Sequence, residues 1–322
     1  MVSAPGLIGI LAGPTATGKS ELGLRLAEEA GCPIEIISAD SLLVYRGMDI
    51  GTAKPTPAER AQRPHHLLDL RDPSESYTAA DFVRDTRRII GEIEARGARP
   101  LIVGGTGFYL KALLHGTWDA PPTNVELRER LAELDADSLY RELEAADSVS
   151  ALRIGRNDRY RLVRAVEILR LTGRTPSELQ AAQIRPPDPR FRLWIIDRPD
   201  QELEERIAAR ASAMLANGLL EETRALVAAF PGARALAAVG YAQARIFLDG
   251  GRPPGRKPRA GEPGLLDEIG LATRQLVKSQ RTWFRGQHSE NERAWFTLDA
   301  ELPTLRGVFL SVYSSAPGPN LH

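Results

Sequence analysis

The residues best suited to chemistry form a glycine-rich segment near the start of the chain. They are Gly13, Pro14, Thr15, Ala16, Thr17, Gly18, Lys19 and Ser20, which fit the pattern G-x-x-x-x-G-K-[S/T]. In such a loop, backbone N–H groups and the start of the next helix surround an anion, the lysine adds positive charge, and the serine hydroxyl can reach Mg²⁺. The segment therefore predicts a site for a di- or triphosphate, with Ser20 as the metal contact.

The loop does not specify which reaction follows phosphate binding. P-loop kinases and hydrolases place a carboxylate after a second strand to hold Mg²⁺. Here the apolar run at 101–103 is followed by two glycines and Thr106, whereas Asp40 follows the run at 34–37. Asp40 could bind magnesium or act as a general base. Thr106 could donate a hydrogen bond to a phosphate oxygen or cap the next helix.

A sheet must bring these residues together. Buried strands are predicted by short apolar runs at residues 7–11, 34–37 and 101–103, and residues 79–95 have helical periodicity. Strands that alternate with helices favour a parallel sheet covered on both faces, with a ligand crevice at the carboxyl ends of the strands. We therefore predict an α/β fold with a P-loop NTPase-like parallel sheet flanked by helices.

The pattern changes in the second part of the chain. From residue 124 it is almost continuously helical, with Asp158 and Gly173 as start and stop signals. Further elements are a strand at 191–196, a long helix at 200–229, an exposed loop at 252–263 and a last helix at 265–285. The predicted division is a P-loop core in 1–120, a helical insertion domain in 121–190, and core completion with a basic C-terminal helix in 191–322.

Composition excludes several classes of protein. The 322 residues are 43% apolar and 26% charged, as in ordinary globular proteins. The lone cysteine, Cys32, excludes a secreted disulfide scaffold and favours a reducing compartment. The sequence contains no run of ~18 apolar residues, the length of a membrane span, and no signal peptide is recognised. We expect a cytoplasmic, monomeric protein without a membrane partner.

Several blocks of sequence, in order along the chain, match one known family. They are Ser38 to Ser41, Tyr45 to Pro55, Pro64 to Asp69, Tyr77 to Phe82, Val103 to Tyr109, Asn157-Asp158, Arg161 to Glu167, Thr172-Gly173, Val239 to Tyr241, and Ala272 to Gln275 continuing through Trp283 to Arg285. Together with the phosphate loop, these blocks resemble the tRNA dimethylallyltransferase family over most of the chain.

The resemblance implies a specific reaction. The family transfers a dimethylallyl group from dimethylallyl diphosphate to N6 of the adenosine on the 3′ side of the anticodon, in tRNAs that read codons beginning with U. Diphosphate is released and Mg²⁺ is the cofactor. By the resemblance, Lys19 would hold the phosphates and Ser20 would help hold Mg²⁺.

The resemblance also assigns catalytic roles. Asp40 would be the general base that takes the N6 proton as the amine attacks the allylic carbon. Thr106 would donate a hydrogen bond to a diphosphate oxygen and stabilise the charge that develops there. Arg210 would bind the diphosphate from the opposite side, although Arg206, one turn earlier, could take the same role and Arg210 could simply face solvent.

A surface for the anticodon stem-loop is implied as well. Four basic residues recur at steps of four, three and four on one face of the last helix, a pattern that is also typical of a solvated face: Arg274, Lys278, Arg281 and Arg285. The family often has glutamine where this chain has Leu43. The implied tRNA contacts are Asp40, Ser41, Leu42, Leu43, Thr106, Tyr160, Arg161, Leu162, Val163, Arg164, Val239, Gly240, Tyr241, Lys278, Gln280, Arg281, Trp283 and Arg285.

The charge balance has to be considered locally. The 42 basic and 42 acidic residues give no net charge, which by itself argues against a polyanionic partner. However, residues 126–147 carry eight acids against three arginines, whereas residues 152–185 carry eight arginines against three acids and residues 251–293 are also basic. The alternatives are a prenyltransferase for free adenine nucleotides and a P-loop kinase for a small metabolite. The helical insertion and the basic last helix favour tRNA.

Overall fold

The structure is a computed structural model, and it describes residues 6–116, 121–181, 185–251, 255, 257, 259–288 and 293–313. The strands are β1 (Ile8–Ala12), β2 (Ile34–Ser38), β3 (His65–His66), β4 (Arg99–Gly104), β5 (Phe191–Asp197) and β6 (Arg293–Thr297). The helices are α1 (Lys19–Glu29), α2 (Pro57–Gln62), α3 (Ala79–Ala95), α4 (Gly107–His115), α5 (Val125–Glu133), α6 (Ala136–Ala146), α7 (Ser148–Ile154), α8 (Arg159–Thr172), α9 (Pro176–Ala181), α10 (Asp200–Ala216), α11 (Leu219–Ala229), α12 (Tyr241–Leu248), α13 (Glu262–Gln287) and α14 (Leu302–Tyr313). None of these helices is long and apolar enough to cross a membrane.

The six strands form one parallel sheet in the order β3-β2-β4-β1-β5-β6. The register pairs Ala12 with Gly104 and Ser38 with Val103, so β1, β2 and β4 end at the same edge. The loops that follow these three strands therefore meet at one edge of the sheet. The predicted parallel sheet flanked by helices is confirmed.

Alternate residues of the central strands face opposite layers of helices. Ile10 and Ile102 belong to a buried cluster with residues of α3 and α4, whereas Leu11 and Leu101 belong to a cluster with residues of α1 and α14. Burying each such side chain contributes roughly 1.5–3 kcal/mol of transfer free energy. Because helices cover both faces of the sheet, packing holds in place the strand ends that lead into the loops.

The chain divides into two compact units. One comprises Met1–Leu114 with Pro187–His322, and the other comprises His115–Pro186. The predicted insertion, residues 121–190, overlaps the second unit. The helices α5 to α8 of this unit have a buried core of their own, which includes Leu131, Leu139, Leu143, Leu162 and Val166.

The central helix of the insertion, α8, begins and ends at the predicted signals. The Asp158 carboxylate accepts a hydrogen bond from the Arg161 backbone N–H at 3.1 Å, which is the geometry of an N-cap. At the other end Gly173 adopts a left-handed conformation with φ of 65°, as a C-terminal glycine commonly does. Both predictions are confirmed.

The helix predicted at residues 200–229 is wrong as a single element. In the structure α10 ends at Ala216 and α11 begins at Leu219. Gly218 between them has φ of 97°, a conformation that glycine adopts without steric cost. The continuous apolar spacing obscured this break.

The prediction for the C-terminal part is incomplete. The helix expected at 265–285 is longer, since α13 begins at Glu262, inside the segment 252–263 that we expected to be a loop. In the remainder of that segment, residues 252–254, 256 and 258 lie outside the described residues. The helix is also not the last element, because β6 pairs with β5 and α14 packs against the sheet. These two elements complete the core.

Candidate active site

The residues predicted to do chemistry lie at the shared carboxyl edge of the sheet. The phosphate loop follows β1, Asp40 comes two residues after β2, and Thr106 comes two residues after β4. This edge is where ligands bind in open parallel sheets. The topology therefore brings together side chains that are far apart in the sequence.

Contacts within the phosphate loop define its geometry. The Thr17 hydroxyl donates to the Pro14 carbonyl oxygen at 2.9 Å, across the turn. Gly18 has φ of 84° and immediately precedes α1, so the loop leads directly into the helix N-terminus. Lys19 Nζ lies 3.3 Å from the Pro14 carbonyl oxygen. These contacts preorganise the loop for an anion.

Lys19 belongs to a cluster of three charged groups. Burial lowers the pKa of Lys19 to about 8, while the Asp40 carboxylate raises this pKa and the Arg210 guanidinium lowers it further. The same burial lowers the pKa of Arg210, which Asp40 opposes. Two cations therefore act on one carboxylate beside the phosphate loop, and this excess of positive charge suits a polyanionic ligand.

The two candidate arginines of α10 have different partners. Arg206 Nε donates to the Ala16 carbonyl oxygen at 2.8 Å, and Arg198 Nε donates to the Thr17 carbonyl oxygen at 2.7 Å. Arg206 of α10 and Arg198, which precedes α10, thus both donate to carbonyl oxygens of the phosphate loop. Arg210 instead donates to the Thr52 carbonyl oxygen at 3.0 Å, and it is the arginine whose charge acts on Asp40 and Lys19.

Asp40 and Thr106 are joined through the backbone between them. The Asp40 carboxylate accepts a hydrogen bond from the Leu42 N–H at 2.9 Å. The Thr106 hydroxyl accepts from the Ser41 N–H at 2.9 Å, and the Thr106 N–H donates to the Ala39 carbonyl oxygen at 3.1 Å. The Thr106 hydroxyl thus bonds to the Asp40 segment, which places the two predicted catalytic residues side by side.

The helix α13 contributes Gln280 to the site. Its side-chain oxygen accepts from the Thr15 N–H at 2.9 Å, and its amide nitrogen donates to the Gly105 carbonyl oxygen at 3.0 Å. One side chain therefore connects the phosphate loop to the Thr106 loop. The Trp283 indole packs against Gly107 one turn further along.

The basic stripe predicted on α13 needs a correction. Arg281 pairs with Asp197 at 2.9 Å and also with Asp200, and its side chain is only 18% exposed. It therefore fixes α13 to the end of β5. Lys278 and Arg285 are exposed, and Arg285 lies 5.4 Å from the centre of the Trp295 ring. Spacing alone placed Arg281 in the basic stripe, whereas the structure shows it in ion pairs with Asp197 and Asp200.

The predicted tRNA contacts of the insertion unit also divide by exposure. Tyr160 and Arg161 are exposed, whereas the side chains of Leu162 and Val163 are buried in the core of the unit. Arg164 pairs with the buried Glu167 at 2.7 Å. Of these five residues, Tyr160 and Arg161 offer the accessible side chains.

Tyr241 differs from its predicted role. Its side chain is fully buried, and its hydroxyl donates to the Glu222 carboxylate at 2.6 Å.

Glu222 and Arg198 were missed by the sequence analysis because neither belongs to a motif block. Phe108, also missed, is 56% exposed beside the Trp283 ring, with the ring centroids 6.3 Å apart. Its place two residues after Thr106 in the sequence was the available signal.

Comparison with known proteins gives a consistent result. A family model described as IPP transferase matches residues 43–287. A protein of Paraburkholderia phymatum named tRNA dimethylallyltransferase is 46% identical over 300 residues, covering 88% of this chain and 90% of that protein. A protein of Halorhodospira halophila with the same name is 44% identical over 306 residues, covering 90% and 92% of the two chains.

Solved structures show the same fold. The crystal structure of the full-length tRNA isopentenylpyrophosphate transferase from Bacillus halodurans has a TM-score of 0.65 and 30% identity, covering 96% of this chain and 98% of that chain. A eukaryotic dimethylallyltransferase studied acting on tRNA has a TM-score of 0.76 at 24% identity, covering 94% and 78%, and supports the fold alone. The family model and the relatives both extend over most of the sequence. The chain therefore belongs to the IPP transferase family.

Proposed function

We propose that this protein transfers the dimethylallyl group of dimethylallyl diphosphate to N6 of the adenosine 3′-adjacent to the anticodon, in tRNAs that read codons beginning with U. The bond between the allylic carbon and the diphosphate oxygen breaks, the bond between N6 and that carbon forms, and Asp40 takes the N6 proton. The placement of Asp40 and Thr106 beside a phosphate loop carries the proposal, together with membership of the family.

The charged groups of the site suit a leaving diphosphate. A diphosphate has the shape and charge of the two terminal phosphates of a nucleotide, so the backbone N–H groups of residues 13–20 can hold it. Lys19 supplies a positive charge at the loop, and Arg210 supplies a second one near Asp40. No nucleotide hydrolysis is required.

Asp40 and Thr106 have complementary roles in the proposal. An exocyclic adenine amine is a poor nucleophile, so its alignment with the allylic carbon matters as much as the base that takes its proton. The Leu42 N–H fixes the Asp40 carboxylate at 2.9 Å. The Thr106 hydroxyl would donate to a diphosphate oxygen and stabilise the charge that develops as the bond breaks.

The oxygen donors of the site fit Mg²⁺. This ion prefers one or two protein oxygens together with water and phosphate oxygens. Ser20 is exposed in the first turn of α1, beside Lys19. Among the described residues no cluster of three or more His, Cys, Asp or Glu side chains could hold a metal by itself. We propose that the Ser20 hydroxyl helps to hold Mg²⁺, which when bound would offset the negative charge of the diphosphate.

The acceptor adenosine must leave the stacked anticodon loop to reach the sheet edge, as bases do in other base-modifying enzymes. The exposed cations Lys278 and Arg285 of α13 are suited to contacts with the phosphates of the tRNA. Tyr160 and Arg161 offer exposed contacts on the insertion unit. The proposal includes a monomeric enzyme that works in the cytoplasm.

One assay separates this function from its alternatives. The protein is incubated with labelled dimethylallyl diphosphate and Mg²⁺, beside unmodified tRNA, the same tRNA with guanosine at the target position, and free AMP. We expect label only in the unaltered tRNA. Label in AMP would indicate a nucleotide prenyltransferase, and steady ATP turnover with no labelled acceptor would indicate a kinase or hydrolase. Either result would overturn the proposal.

A further inference from the structure

One carboxylate in this fold accepts an unusual number of hydrogen bonds. Glu222, in the first turn of α11, accepts from the backbone N–H groups of Asp49 at 3.1 Å, Ile50 at 2.9 Å and Gly51 at 3.1 Å. It also accepts from the Tyr241 hydroxyl at 2.6 Å. Successive N–H groups that converge on one anion form a strong and directional anchor. The loop at residues 49–51 is therefore tied to α11 and α12.

The packing beneath this loop is equally specific. A Cβ atom at Gly51 would lie 2.5 Å from the Tyr241 ring, so the backbone crosses the ring in direct contact. Met48 is fully buried in the same apolar cluster as Leu219 and Tyr241. Glu222 and Tyr241 thus fix the position of the loop at residues 49–51.

The next residue of the loop contacts the phosphate-binding machinery. The Thr52 carbonyl oxygen accepts from Arg210 Nη2 at 3.0 Å. On the far side of Thr52, the buried Lys54 pairs with Asp49 at 2.6 Å and with Asp69 at 2.7 Å. The carbonyl that receives Arg210 therefore lies in a backbone segment anchored on both sides.

We propose that Glu222 and Tyr241 are positioning residues that hold Arg210 for diphosphate binding through residues 49–52, without touching the substrate. The inference rests on the proposed function, in which Arg210 binds the diphosphate. An arginine side chain loses much rotamer freedom when it binds a ligand, and a fixed carbonyl acceptor restricts that freedom beforehand. Released from Thr52, Arg210 has an alternative partner in Asp40, whose charge already acts on it. Loss of the anchor would therefore weaken diphosphate binding.

The test is a double-mutant cycle on equilibrium affinity for inorganic diphosphate with Mg²⁺. We expect Glu222→Ala to weaken binding at least fivefold and Glu222→Gln to weaken it less, because the amide retains one acceptor oxygen. In an Arg210→Ala background, Glu222→Ala should change the affinity less than twofold, because the group through which it acts is gone. Glu221→Ala, the same change at the exposed neighbour, is the matched control and should leave the affinity unchanged.

Turnover supplies a second readout. In the Glu222 variants the KM for dimethylallyl diphosphate should rise while the KM for tRNA stays within about twofold, a split that general loss of folded protein would not produce. If Glu222→Ala does not fold, Tyr241→Phe removes only the hydroxyl and should weaken diphosphate binding two- to fivefold. Equal effects of Glu222→Ala with and without Arg210 would overturn the inference, as would an unchanged diphosphate affinity in Tyr241→Phe. If the wild-type protein binds diphosphate but modifies no tRNA, the proposed function is refuted. The double-mutant cycle then still tests whether Glu222 positions Arg210 for diphosphate binding.

Discussion

Diphosphate binding should depend on pH through the protonation of Lys19. Burial lowers the pKa of this amine to about 8, so its charge is lost within an accessible pH range. In the proposed function the loop binds an anion, and only the protonated amine contributes a positive charge to it. Affinity should therefore be full below this pKa and fall as the pH rises through it.

The magnitude follows from the pKa. With a pKa of about 8, roughly nine-tenths of the Lys19 amines are protonated at pH 7 and roughly one-tenth at pH 9. If only the protonated form binds well, the affinity falls about tenfold between these values. Asp40 raises the pKa of Lys19 and Arg210 lowers it. Asp40→Asn should move the fall to lower pH, and Arg210→Ala should move it to higher pH.

The assay is titration calorimetry of inorganic diphosphate with Mg²⁺ at half-unit pH steps, without tRNA, so that turnover and acceptor binding do not contribute. Lys19→Met is the control. This variant should bind diphosphate weakly, and its affinity should not fall as the pH rises through 8. Shifts in the same direction for Asp40→Asn and Arg210→Ala would refute the reasoning. So would a fall in affinity near pH 8 that persists in Lys19→Met.

Three other predictions concern turnover and tRNA. Asp40→Asn should lower single-turnover prenyl transfer by ~10²–10⁴-fold while tRNA affinity in a filter-binding assay is retained, because it removes the base; normal transfer would exclude that role. Arg285→Ala should reduce the salt dependence of tRNA binding by about one unit of slope, whereas Arg281→Ala should lower the free energy of unfolding in urea by roughly 3 kcal/mol, because it leaves the buried Asp197 carboxylate without its charged partner. Reversed outcomes for these two arginines would contradict their assignment. Phe108→Ala should weaken tRNA binding about tenfold if the exposed ring stacks on a base, with diphosphate affinity as the unchanged control.

A local motif predicts the candidate phosphate site from the sequence. The eight residues at 13–20 are contiguous, and their chemistry depends on backbone geometry that glycine positions largely dictate. Asp40 and Thr106 could also be placed, because strand ends of a parallel sheet meet at one edge whatever the order of the strands. The resemblance to the family supplied their expected roles.

Partners from distant segments could not be predicted in the same way. Periodicity places Arg281 on a helix face but does not show that this face meets Asp197 at the end of β5. The Tyr241 block matched the family, yet only the fold shows that the ring lies beneath Gly51. Glu222 belongs to no motif, because most of its partners are backbone N–H groups, which every sequence possesses. Its contacts can be identified only from the folded structure.

The charge of the insertion unit shows why counts along the sequence are an incomplete guide to RNA binding. Arg156 pairs with Asp137 at 3.3 Å, and Arg170 pairs with Glu142 at 2.6 Å. Both pairs join the arginine-rich segment to the acidic segment that precedes it, so the two opposite charges largely neutralise each other inside one unit. A tRNA phosphate would have to compete with these carboxylates for the same arginines. The salt dependence of tRNA binding should therefore follow exposed cations such as Lys278 and Arg285, and be smaller than the arginine count suggests.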